Sequence, residues 1–118
     1  MIIFRGDTRE IRVTIKQNDV QIDPEAALTG CKAWIFHLAS GEVIGKWSLV
    51  TATGFGAMTV TADDKLLFAL DSTETAAAEL GQVIIQVSFT YADIHAPDGE
   101  HRITKKGILG YIRDAKTA

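Results

Sequence analysis

A chain of 118 residues has room for one domain and not for two. Apolar residues make up 47% of it, enough for a core that needs no disulfide or metal to hold it. The formal net charge of −3 and a pI near 5.5 exclude nucleic-acid binding through bulk positive charge, and the Lys and Arg residues are scattered; the densest group, Arg5, Arg9 and Arg12, has Asp7 and Glu10 among it.

The start, "MIIFRGDTRE", has three apolar residues and then charges, without the apolar run and cleavage site of a signal peptide. No run approaches the roughly 18 apolar residues of a membrane span. Synthesis and folding in a cytoplasm are therefore expected. Thr8 to Lys16 alternate, with Ile11, Val13 and Ile15 on one face, which predicts a half-buried strand. Gln17 to Asp19 read as a turn, and Val20 and Ile22 as a short extended piece. In "DPEAALTG" Asp23 can cap a helical turn, Pro24 suits its first position and Gly30 is expected to end it.

"CKAWIFHLAS" is a strand with Trp34, Phe36 and Leu38 on one face and Ala33, Ile35 and His37 on the other; apolar groups on both faces suit an inner strand. "SGE" (Ser40 to Glu42) turns it into "VIGKWSLV", where alternation puts Val43, Trp47 and Leu49 on one face. "TATGFG" reads as a loop, "AMTVTA" as a short strand, Asp63–Asp64 as a turn, and "KLLFAL" as a strand or helical turn. "DSTETAAAELG" is the best helical segment: Asp71 or Ser72 caps it, Glu74 or Thr75 lies three residues on, and Gly81 stops it. "QVIIQVSFTY" is a long strand with Val83, Ile85, Val87 and Phe89 on one face and Ile84 and Tyr91 assigned to the other. Pro97–Asp98–Gly99 marks a turn, "HRITKKGILGYIRD" a last strand broken at Gly107, and "AKTA" a frayed tail.

Seven or eight short strands without strand–helix–strand alternation predict an all-β fold: a single immunoglobulin-like antiparallel β-sandwich over residues 1–118, with one short crossover helix at about residues 72–80.

Catalytic signatures are missing from the sequence. "TGFGAM" precedes a strand and lacks the third glycine and the lysine of phosphate-binding loops, and Ser40, Ser48, Ser72 and Ser88 lie in no nucleophile elbow. Asp63 and Asp64, the tightest carboxylate pair, are neighbours on a turn and expected to point apart. The lone Cys31 cannot form an internal disulfide and reads as a small buried side chain at a strand start. His95 and His101 flank a turn near Asp93, Asp98 and Glu100 and are the candidate metal ligands, at a spacing that matches no established motif. Trp34 and Trp47 lie on the two strands of the expected hairpin: facing the core they are packing, facing solvent they form a ligand or partner platform. The reading is a non-enzymatic protein without cofactor or catalytic residues.

Four segments in order, "FRGDTREIRVTI", "DPEAALTGCKAWIFHLASGEVI", "DSTETAAAELG" before a long strand, and "HRITKKGILGYIRD", resemble the immunoglobulin-like domain at the N-terminus of phage baseplate upper proteins and related phage tail components. The matching features are the Gly6-Asp7-Thr8 start, Leu28-Thr29-Gly30 before Trp34 to Leu38, and the step from Thr75 through Leu80-Gly81; Val83 stands where relatives often carry Tyr. The resemblance implies a phage or prophage structural protein of the tail or baseplate, present in the virion and assembled in the host bacterial cytoplasm. It implies docking of receptor-binding or tail-fibre components and a homo-oligomer; the charge and the lack of a long apolar run predict no contact with nucleic acid or membrane. The other class kept open is a carbohydrate- or partner-binding β-sandwich module of a bacterial surface protein.

Overall fold

Alternating and doubly apolar segments become strands, and the capped segments become helices. The computed structural model describes residues 1–17 and 19–115; the expected turn at Gln17 to Asp19 and the tail "AKTA" fall partly outside them. The chain runs β1 (Ile2–Phe4), β2 (Arg9–Val13), β3 (Lys16–Gln17), β4 (Val20–Gln21), α1 (Pro24–Ala27), β5 (Gly30–His37), β6 (Val43–Ser48), β7 (Gly56–Ala57), β8 (Thr59–Val60), β9 (Leu66–Leu70), α2 (Ser72–Ala77), β10 (Gly81–Ala92) and β11 (Glu100–Arg113).

The fold is mainly β. A six-stranded sheet, ordered β1-β11-β10-β5-β6-β7, curls into a half-barrel, and a three-stranded antiparallel sheet, β2-β9-β8, accompanies it; β3 and β4 form a separate pair. The larger sheet is mixed, where antiparallel pairing throughout was expected: β1 runs parallel to β11 and β7 parallel to β6. Neither pairing has a local signature, because β1 finds its partner at the far end of the chain (Ile2 beside Tyr111) and β7 is only two residues long.

The core fills the space between the sheets. Ile3, Ile35, Val83 and Ile112 from the larger sheet meet Ile11, Leu66, Phe68 and Leu70 from the smaller one. Trp47 reaches across to Phe68, with ring centroids 4.7 Å apart. The overall extents of 58 × 30 × 28 Å reflect the long β10–β11 hairpin.

Two short helices are present, at the expected helical turn after Asp23 and at the expected crossover. α1 is capped by the Asp23 carboxylate, which accepts from the Glu25 N–H, and it ends at Leu28 rather than at Gly30, which already belongs to β5. α2 opens with a full capping box between Asp71 and Glu74. It stops at Ala77, short of residue 80, because Ala78 turns extended and is buried against the core. Gly81 acts after the helix rather than at its end. It holds φ +130, and a Cβ there would lie 2.8 Å from Nε2 of His37. His37 fixes this join: Ser40 donates its N–H to Nδ1 (3.2 Å), which leaves the hydrogen on Nε2 to be donated to the Leu80 carbonyl (2.9 Å).

The last strand bends three residues later than expected. Gly107 pairs regularly with Ile85, and the irregularity falls opposite Val83 and Ile84, beside Gly110. There a side chain would collide with the Met1 carbonyl, so a glycine is what lets β1 dock on β11. Tyr91 belongs by alternation and register to the Phe89 face, opposite His101, and not to the Ile84 face.

Thr75 ties α2 to the N-terminal turn. It is fully buried; its hydroxyl donates to the Asp7 carbonyl (2.7 Å) and accepts the Gly6 N–H (3.0 Å). Thr75→Val keeps the shape and removes both bonds. The expected outcome is a loss of about 1–3 kcal/mol, seen in urea unfolding as a lower midpoint with an unchanged slope.

Candidate functional site

The strand registers sort the larger sheet into rows on its outer face, the face turned away from the three-stranded sheet. One row is Val43, Phe36, Ile84 and Ile108, taken across β6, β5, β10 and β11. Beside it Gln82 pairs with Tyr111, which pairs with Ile2, and Leu38 donates its N–H to the Gln82 carbonyl. On the other side comes a polar row of Lys46, Trp34, Gln86 and Lys106, then Lys32, Ser88 and Thr104. The outer face thus has an apolar end and a polar end.

The apolar end is open to solvent. Ile108 is 68% exposed and Leu38 52%, with Ile2, Val43 and Tyr111 also exposed. Ile84, in the middle, is covered by its own neighbours in the sheet. Large exposed apolar patches are where other molecules bind in many proteins. Sequence reading identified apolar residues on both faces of β5 but passed over Ile108, which stands among Lys105, Lys106 and Gly107. Apolar residues on both faces of two adjacent strands were the available signal.

Trp34 and Trp47 do not pair across the hairpin. The β5–β6 ladder shifts by one residue between Ile35 and Phe36, so Trp47 stands opposite Ala33 and faces the core, whereas Trp34 stands opposite Lys46 and faces outward. An unbroken register would have placed Trp47 opposite Lys32, on the same side as Trp34. Trp34 is half-buried, edge-on to Phe55 at 5.9 Å, with the Lys32 and Lys46 ammonium groups 4.7 and 5.0 Å from the centre of that ring. A groove of about 780 Å³ alongside β6 is bordered by both tryptophans, Lys46, Asp71 and Glu74. Its two carboxylates are already engaged in the capping box of α2.

Of the candidate metal ligands, His95 lies in the β10–β11 turn and His101 at the start of β11. His101 stacks on Tyr91 (5.1 Å) with Nδ1 3.9 Å from the Asp93 carboxylate, and His95 contributes only its N–H to Asp93. Among the described residues no three His, Cys, Asp or Glu side chains converge as a metal set. Asp63 and Asp64 form no facing pair. The Thr61 hydroxyl donates to Asp63 and Lys65 lies 3.6 Å away, and both hold its carboxyl below the usual carboxylate range. Asp64 takes the left-handed turn position, φ +63.

No protein-family model, no curated protein and no solved structure matches this chain.

Cys31 is buried at the start of β5, and loss of solvation pushes its thiol up to about 12. The folded state therefore favours the protonated thiol. Its contribution to stability is fully present below about pH 8.5, the unfolded thiol's value, and falls by about 1.4 kcal/mol per pH unit above it. The difference in unfolding free energy between the wild type and Cys31→Ala is expected to shrink along that slope in alkali. Ellman's reagent at pH 8 is expected to label the thiol only as fast as the protein unfolds.

Proposed function

We propose that this protein is a non-enzymatic structural component of a phage or prophage tail or baseplate. It is an immunoglobulin-like β-sandwich that serves as an assembly module and docks receptor-binding or tail-fibre components. The observation that carries the reading is the uncovered apolar end of the outer face, around Ile108, Val43 and Tyr111. A sheet with both faces apolar needs cover on both, and within this chain the smaller sheet lies on one face only. The resemblance of the four segments to phage baseplate upper proteins gives the class of partner. Two of those segments also support each other physically, since Thr75 of the helical step binds the backbone of Gly6 and Asp7 in the N-terminal turn.

The site of action in this reading is the virion tail, after assembly in the bacterial cytoplasm, and the chemistry is burial of apolar surface, with no cofactor required. The test is co-expression with the adjoining tail genes. The wild-type chain is expected in purified tail particles. Ile108→Asp is expected to leave the melting temperature within about 2 °C and to cut incorporation at least tenfold, because an exposed position contributes little to stability. A wild-type chain absent from particles would sink the reading.

One observation favours the second class, a carbohydrate- or partner-binding module of a bacterial surface protein. Trp34 and Phe55 form an aromatic pair on the outer face beside Lys32 and Lys46. On that reading a glycan array gives a hit that Trp34→Ala abolishes, and a blank array with the wild-type chain rejects it.

A further inference from the structure

The hydrogen-bonding edge of β11 is the longest open feature of the fold. β10 pairs with β11 over its whole length, but on the other side β1 reaches only Tyr111, Ile112 and Arg113. Among the described residues, Glu100 to Leu109 have no strand on that side. The segment is regular: Glu100 to Gly107 pair with Ala92 to Ile85 without a bulge. An unbulged open edge of this length is a template for another strand.

We propose that the strand which fills it is β11 of a second copy of this chain, in a two-fold antiparallel pairing centred on Ile103. Among registers centred from Arg102 to Lys106, charge selects one. For one continuous sheet with the two cores on the same side, the two-fold axis stands perpendicular to the sheet, so facing residues must lie on the same face. Only registers centred on a residue meet that condition. Centring on Arg102 or Lys105 sets that residue against itself, and centring on Thr104 sets Arg102 against Lys106. Centring on Ile103 avoids every like-charged pair among the Lys, Arg and Glu side chains and sets His101 opposite Lys105. It places Glu100 opposite Lys106 twice, Arg102 opposite Thr104, and Ile103 against its own copy. All four of those polar residues except Thr104 carry charge, and all are exposed in the single chain.

The product is a twelve-stranded sheet shared by two copies. On the outer face its seam is lined by Glu100, Arg102, Thr104 and Lys106, and the apolar ends around Ile108 lie at opposite ends of the ladder. A seven-residue ladder is a small interface, so a weak dimer that dissociates on dilution is expected. The inference deepens the assembly reading above and rests on it for its biological use, while the pairing itself is tested on the purified chain.

Sedimentation equilibrium of the purified wild-type chain at low salt is expected to show a monomer–dimer equilibrium. Glu100→Lys and Lys106→Glu each replace two attractive pairs with two repulsive ones and are expected to weaken the dimer roughly tenfold or more. The double variant Glu100→Lys/Lys106→Glu restores the attraction with the signs exchanged and is expected to regain the wild-type affinity. Circular dichroism and melting of all three variants check that the hairpin is intact. A chain that stays monomeric, or a dimer indifferent to the single variants, overturns the proposal. A monomeric chain that still enters tail particles removes the edge pairing and leaves the tail reading standing. A dimer that never enters particles does the reverse.

Discussion

β10 has a hydrogen-bonded neighbour along both edges, β5 on one and β11 on the other, and apolar residues on both faces. That double constraint sets the rest of the structure. Its register fixes which residues of β5 face inward, so Ala33, Ile35 and His37 enter the core while Trp34 and Phe36 point out. A slip of one residue would exchange the two sets. The join that delivers the chain into β10 is correspondingly rigid. His37 holds the Leu80 carbonyl, Gly81 occupies a conformation that other residues avoid, and Thr75 anchors the preceding helix to the N-terminal turn. These three contacts lie within a few residues of each other and set where the long strand begins.

The same strand explains the division of the molecule into a closed and an open side. Val83, Val87 and Phe89 are buried beneath the smaller sheet. On the opposite face Ile84 is buried between its cross-strand partners Phe36 and Ile108, which are themselves partly or largely exposed. Hydrophobic burial is more extensive on the side of the smaller sheet than on the outer face.

The elements legible in the sequence were those whose signal is local. Alternation marked Ile11 and Val13 of β2, which stops short of Ile15. The turn at Ser40 to Glu42 marked the β5–β6 hairpin, and the caps at Asp71 and Glu74 marked α2. The parts that were not legible depend on distant chain. β1 has only three residues and is defined by a partner at the other end of the sequence. The glycine that bends β11 is Gly110 and not Gly107 because the Met1 backbone packs against it, a contact no local pattern encodes. The one-residue shift opposite Phe36 separated the two tryptophans onto different faces, and alternation counting assumes that such shifts do not occur. The open apolar face escaped for a related reason: Ile108 becomes part of a patch only when the register sets it beside Ile84 and Phe36.

The parallel pairing of β1 with β11 also dictates an order of events in time. Arg5 and Asp114, which form an ion pair beside that pairing, are separated by 109 residues. During synthesis the first strand leaves the ribosome long before its partner exists, and it must wait unpaired while the hairpins between them form. Closing so large a loop is entropically slow, so the edge at β1 is expected to be the last part of the sheet to zip. Until then the Tyr111–Arg113 end of β11 is an open ladder as well.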